Sequence, residues 1–197
     1  MTTRRRGRPG YDQESLLRAA AELFHERGYD STSIQDLATR LGVGKSAIYH
    51  HVPSKESLLG LAVDRALDGL FAQVAQLGDD GRAVDRLEQL VRGSVAVLAD
   101  ELPFVTLLLR VRGNTETERA ALVRRREFDG IVTDLVTQAV AEGDLRADVE
   151  PATVTRLLFG MVNSLIDWYR PSGGLTPADL ADTVIAVALD GLRGRGA

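Results

Sequence analysis

Apolar side chains recur along this chain at the three- and four-residue spacing of a helix, with no sustained strand-like alternation of apolar and polar residues. Leu16, Leu17, Ala20, Leu23 and Phe24 form one such stripe; Ile34, Leu37, Ala38 and Leu41 form the next. A segment with this period hides its apolar face by packing against other helices, so the pattern commits the chain to an all-α fold. With 44% hydrophobic residues in 197, there is enough apolar material for a packed core.

Capping residues divide the pattern into elements. The first helix is expected from Asp12 to about Arg27, with Gly28 as its stop. Ser33-Ile34-Gln35-Asp36 reads as a capping box that opens a second helix ending near Leu41. Gly42-Val43-Gly44 is a tight turn, followed by a very short third helix from Lys45 to about His51. Ser54 caps a fourth that runs to about Leu77. Further helices are expected near 82–100, 102–112, 115–142, 151–169 and 177–193, about nine in all. Pro103, Pro151 and Pro177 fall near three of the starts, where the missing N–H costs nothing.

Composition narrows the function classes. There is no cysteine, so disulfides, thiolate metal sites and a cysteine nucleophile are excluded. All three histidines lie in the first 60 residues, and no phosphate loop, nucleophile elbow or metal-ligand spacing is present. No catalytic residue, metal ligand or cofactor is therefore assigned, and the chain is read as a non-enzyme. The basic start, Met1 to Arg6, is not followed by an apolar signal core. The apolar stretch from Leu157 to Ile166 is too short and polar to span a bilayer. The expectation is a soluble, cytoplasmic protein without a membrane partner. Net charge is −4 overall but splits: residues 1–60 carry nine basic and seven acidic side chains, the remainder 15 and 21. That asymmetry suggests a nucleic-acid end and a different role for the rest.

Three short helices with a glycine turn between the second and third form a helix-turn-helix. At 100° per residue, Ile48 and Val52 point inward, while Ser46, Ala47 and His50 point out. Lys45 and Tyr49 lie on one flank and His51 on the other. The outward set offers a hydroxyl, an imidazole and a methyl group, compact enough for a major groove. The N–H groups at Gly44-Lys45 face a phosphate position. In the tail, Arg6-Gly7-Arg8-Pro9 resembles an AT-hook core, so the segment is either an arm for an A·T-rich minor groove or a solvated basic terminus.

The spacing Gly28-x-x-x-Thr32-Ser33-x-x-x-Leu37-Ala38-x-x-Leu41-Gly42-Val43-x-x-x-x-Ile48-Tyr49-x-His51-Val52-x-x-Lys55-x-x-Leu58 resembles the signature of the TetR family of bacterial regulators. Val52 stands where the family more often has phenylalanine. By that resemblance the DNA-contacting positions are Gln35, Lys45, Ser46, Ala47, Tyr49, His50, His51 and Lys55, with Ser33 capping the second helix against the DNA backbone. Lys45, Ser46 and His50 are candidates for base edges; Tyr49 and Lys55 are assigned to phosphates. Arg6 and Arg8 complete the DNA set.

The resemblance also implies a helical effector domain and a dimer closed by the last two long helices as a four-helix bundle. Independently, Val154, Leu158, Met161 and Leu165 make an apolar stripe on the first of these, and Leu180, Val184, Val187 and Leu192 one on the second. These are the candidate dimer residues, with packing inside one monomer as the alternative. Candidate effector residues are the bulky Phe71, Phe104, Leu108, Val111, Phe128, Met161 and Trp168, any of which can equally be plain core, with the polar Asn163 and Asp167. Arg124-Arg125-Arg126 is a solvated face or a partner for an anion. The stretch from Trp168 to Thr176 resembles TetR members that sense acyl-CoA thioesters, including repressors of ketosteroid catabolism. Those repressors carry ligand-contacting Arg and Trp in the preceding helix; the aligned positions here are Phe159 and Asn163.

The sequence thus predicts a basic arm (1–10), a helix-turn-helix domain (11–52) and an effector-binding and dimerisation domain (53–197). The expected function is a ligand-responsive regulator, by resemblance a repressor. It binds a palindromic operator in double-stranded DNA as a homodimer and is released by a small apolar or acyl-CoA-type effector. A helical small-molecule-binding or interaction protein without DNA binding is the other reading the sequence allows.

Overall fold

The computed structural model describes residues 12–78 and 80–190. Among the described residues there are nine helices and no strand. Contacts group the chain into two compact units, Met1–Ala62 and Val63–Ala197. The sequence had placed the domain boundary at 52/53; the division between the compact units falls inside the fourth helix.

The N-terminal unit contains α1 (Gln13–Arg27), α2 (Ile34–Leu41), α3 (Lys45–Tyr49) and the start of α4 (Lys55–Gln76). Each boundary has a local cause. The Asp12 carboxylate accepts the Ser15 N–H at 2.8 Å and begins α1. Gly28, at φ 85°, ends it by donating its N–H to the Phe24 carbonyl. Both halves of the expected capping box open α2: the Asp36 N–H reaches Ser33 Oγ at 3.1 Å, and the Ser33 N–H reaches the Asp36 carboxylate at 2.8 Å. Gly42 closes α2 in the left-handed region at φ 65°, a conformation other side chains resist. The Val43 N–H then returns to the Ala38 carbonyl at 3.0 Å, which turns the chain into α3. Leu16, Leu23, Phe24, Leu37, Ile48, Val52 and Leu58 are all buried in the shared core.

The C-terminal unit holds the rest of α4 with α5 (Ala83–Asp100), α6 (Leu102–Arg110), α7 (Glu116–Ala141), α8 (Pro151–Trp168) and α9 (Pro177–Leu189). The central helix is α5, which packs against α6, α7, α8 and α9. Its inward stripe is Leu87, Leu90, Val91, Ser94, Val95 and Leu98, all buried. The α6–α7 loop is held by Glu118, whose carboxylate accepts the N–H groups of Arg112, Gly113 and Asn114 at 3.2, 2.8 and 2.7 Å. That triple acceptance explains how the Glu118 carboxylate lies buried. A second capping box, Thr176 with Asp179, opens α9. Among the described residues, no helix is long and apolar enough to cross a membrane.

Candidate DNA-reading face and effector cavity

The turn between α2 and α3 exposes one side of α3 and anchors the other. Ile48 and Val52 are 1% and 2% exposed and belong to the core of the N-terminal unit. Lys45, Ser46, Ala47, Tyr49, His50 and His51 are all exposed. Tyr49, at 52% exposed, does not serve as a cover for the core. The surface so formed has a cation, a hydroxyl, a methyl group, a phenol and two imidazoles on just under two turns of chain, carried on a buried base. Gln35 is exposed on α2 and reaches Thr39 Oγ1 at 3.4 Å. Ser33 is exposed and occupied as the α2 cap.

Lys55 behaves differently from its expected role as a phosphate contact. Its ammonium donates to the Tyr29 and Thr32 carbonyls, both at 2.9 Å, and lies 4.1 Å from the Tyr29 ring centroid. Thr32 is buried and donates its hydroxyl to the Gly28 carbonyl at 2.8 Å, while Tyr29 meets Phe24 edge-on. Lys55 therefore ties the start of α4 to the α1–α2 corner. Arg6 and Arg8 lie outside the described residues.

In the C-terminal unit, α4, α5, α6, α7 and α8 line a chamber of about 30 Å³, walled mostly by Leu70, Leu98, Leu108, Phe128, Phe159 and Val162. Beside it, α7 and α8 form a polar groove of about 430 Å³ lined by Arg125, Arg126, Thr133, Thr155, Arg156 and Gly160. Arg125, Asp129, Phe159 and Asn163 line both. Among the described residues, Arg125, Arg126 and Arg156 make no ion pair. Asp129 is exposed as a residue, yet its carboxyl sits among groove neighbours. Burial pushes its pKa above the ordinary value, against the opposing pull of Arg125 and Arg156. The groove thus carries three uncommitted guanidinium groups beside one reluctant carboxylate, and favours an anion.

Of the expected effector residues, Leu108, Phe128 and Asn163 line these cavities. Phe71 touches Phe128 edge-on at 6.1 Å between ring centroids, behind the chamber wall. Phe104 is fully buried, with the Arg65 guanidinium over its ring. Val111 caps α6. Met161 and Trp168 fall on a different face of α8, while Asp167 follows Asn163 one turn on along the groove face; none of the three lines either cavity. The arginine triplet divides at 100° per residue. Arg124 turns to α4, pairing with Asp64 at 2.7 Å and Asp68 at 2.6 Å, while Arg125 and Arg126 turn to the groove. Sequence reasoning missed Ser94 and Arg156 as cavity residues, and reached Phe159 only as a position aligned with a ligand contact.

The expected dimer stripe needs correction. Val154, Leu158, Leu165, Leu180 and Val184 are buried within the C-terminal unit. The apolar residues left facing outward on α8 and α9 are Leu157, Trp168 and Val187, 66%, 52% and 64% exposed, with Met161 half-buried between them. Both helices are apolar on two sides, and a one-helix pattern does not say which side faces the monomer core. Leu192 lies outside the described residues.

Two helices packed on a common core and presenting a short, exposed, polar third helix are the build of a helix-turn-helix regulator. The sequence matches the profile of "Bacterial regulatory proteins, tetR family" over residues 16–62 and "Tetracyclin repressor-like, C-terminal domain" over residues 80–192. The chain belongs to the TetR family of transcriptional regulators. It is 31% identical over 190 residues to the HTH-type transcriptional repressor KstR2 of Rhodococcus jostii, covering 90% of this chain and 89% of that one. It is 52% identical to SCO3833, a TetR-family member from Streptomyces coelicolor A3, with a TM-score of 0.85 and 93% of both chains covered. It is 26% identical to AibR solved with isovaleryl coenzyme A and operator DNA, with a TM-score of 0.76, covering 89% of this chain and 97% of that one.

Proposed function

We propose that this protein is a repressor that binds a palindromic operator as a homodimer and releases it when an anionic, acyl-CoA-type effector occupies the C-terminal unit. The observation that carries the effector assignment is the continuity of an apolar chamber with an arginine-lined groove through four shared residues. An acyl chain suits the first and a phosphate-bearing head the second. AibR, crystallised with an acyl-CoA and operator DNA, supports the pairing of the two ligands.

On DNA, Lys45, Ser46 and His50 read base edges, with Ala47 against a thymine methyl. Tyr49, His51 and Gln35 contact the backbone beside the Ser33-capped start of α2, and Arg6 and Arg8 enter the minor groove. The dimer forms on the outward face of α8 and α9, where Leu157, Met161, Trp168 and Val187 meet their copies across a two-fold axis. Two reading heads then address half-sites about one helical turn apart. The chain acts by binding rather than catalysis, in the cytoplasm where the chromosome is.

Fluorescence anisotropy with the DNA upstream of the protein's own gene tests this reading. The expected result is nanomolar-range affinity that falls steeply with salt and weakens when isovaleryl-CoA is added. Absence of DNA binding at low salt overturns the regulator reading. Strong DNA binding untouched by any acyl-CoA overturns the effector assignment alone.

A further inference from the structure

The chamber wall is carbon almost throughout. Three polar residues that line it, Arg125, Asp129 and Asn163, belong to the groove as well and mark the common rim. The exception is Ser94, a chamber residue that is not part of the groove. Ser94 is 2% exposed, and among the described residues its Oγ has no hydrogen-bond partner, not even a carbonyl of its own helix. A serine in a helix readily bonds back to the preceding turn, so a buried hydroxyl without that bond is unusual. Leaving it unpaired in an apolar enclosure disfavours the protein, and a ligand oxygen relieves that penalty. A hydroxyl both donates and accepts, so a carbonyl or a hydroxyl on the ligand serves equally.

We propose that Ser94 is a specificity-determining residue for an effector whose buried acyl portion carries an oxo or hydroxyl group, rather than a plain hydrocarbon chain. This rests on the acyl-CoA reading above and refines it. The effector is then polar at both ends: an anionic head on Arg125, Arg126 and Arg156, a carbon body against Phe128 and Phe159, and an oxygen on Ser94. At about 30 Å³ the chamber admits little beyond a water-sized group as it stands, so the carbon body enters by displacing lining side chains. An apolar chain that does so still leaves the Ser94 hydroxyl unpaired. An oxygenated one does not, and the preference arises from that difference.

The test is calorimetric titration of the full-length dimer with CoA thioesters of one chain length. One member carries no acyl oxygen beyond the thioester; the others carry an oxo or hydroxyl group at successive carbons. Wild type is expected to bind at least one oxygenated member about tenfold or more tightly than the plain one. Ser94→Ala is expected to abolish that preference while binding the plain thioester as well as wild type or better. Because Ser94 Oγ bonds to nothing in the fold, the variant is expected to melt at or above the wild-type temperature. Equal affinity of wild type for all members, or a preference that survives in Ser94→Ala, overturns the proposal and leaves the acyl-CoA reading standing. A melting temperature lowered by several degrees identifies the hydroxyl as structural and likewise overturns it. If no member of the series binds, the acyl-CoA reading fails, and this refinement with it.

Discussion

The two units of this protein solve opposite problems with the same helix. The N-terminal unit spends its polar groups inside: α1 and α2 are capped at both ends, and its lysine at position 55 is bonded to two carbonyls. Its reactive surface is all on the outside, on one side of α3. Among the described residues, the C-terminal unit keeps a buried hydroxyl without a partner, a chamber, three guanidinium groups that outnumber the one carboxylate beside them, and large apolar side chains in solvent. A reader of DNA benefits from rigidity behind the contact. A sensor and dimer module must instead retain unsatisfied groups that a ligand or a second copy can satisfy.

The contrast can be broken most severely at the outward face of α8. Leu157→Glu combined with Trp168→Glu places charge in the proposed dimer seam. Light scattering should report a monomer, and operator affinity should fall by about a hundredfold or more as the two heads lose their linkage. A dimer that survives this double substitution with full affinity would place the seam elsewhere. Next in size is Ile48→Ala, which empties the anchor of α3. It is expected to cost about 2–5 kcal/mol of stability, measured by denaturant unfolding followed in the N-terminal unit.

Lys55→Ala sharpens the comparison because two roles predict different signatures. As an internal tie it should lower stability by about 1.5–3 kcal/mol, the worth of hydrogen bonds to a charged group. The slope of log affinity against log salt should stay as in wild type. As a phosphate contact it would flatten that slope and leave stability unchanged. His50→Ala, by contrast, should relax base preference without touching stability. The smallest effect is on acid response. Hydrogen bonds from Ser15 and Ser33 hold Asp12 and Asp36 below the ordinary carboxylate range, as bonds from Thr153 and Thr176 do for Glu150 and Asp179. A depressed folded pKa gives stability that is present above about pH 4 and lost as pH falls through the lowered values. Asp129, raised by burial, has the opposite sign and costs stability as pH rises through the acid range. Melting temperature measured from pH 6 to pH 3 should therefore fall. The fall should shrink in Asp36→Asn, which removes one of the depressed groups.

Most of the N-terminal unit was legible in the sequence, because each boundary there has a residue-level cause: Asp12, Ser33 with Asp36, Gly28 and Gly42. The inward pair Ile48 and Val52 followed from helical geometry alone. The bonds of Lys55 were not legible, because a side chain that reaches back 26 residues to Tyr29 leaves no periodic trace. The C-terminal unit was legible as helices and much less so as a site. On α8 two apolar stripes run side by side, and only packing against α5, α6, α7 and α9 reveals that Leu158 is inside and Leu157 outside. Arg124 and Arg125 look alike in sequence; the aspartates of α4 separate them. Ser94 did leave a signal: it occupies a stripe position between Leu90 and Leu98, where every other member is apolar.

The bonds of Lys55 bear on how force passes through the molecule. With its ammonium clamped on the carbonyls of Tyr29 and Thr32, the first turn of α4 cannot slide or roll without dragging the corner between α1 and α2 along. That corner rests on the same core that seats Ile48 of α3, so within the N-terminal unit the pivot of α4 and the seat of the reading surface share one foundation.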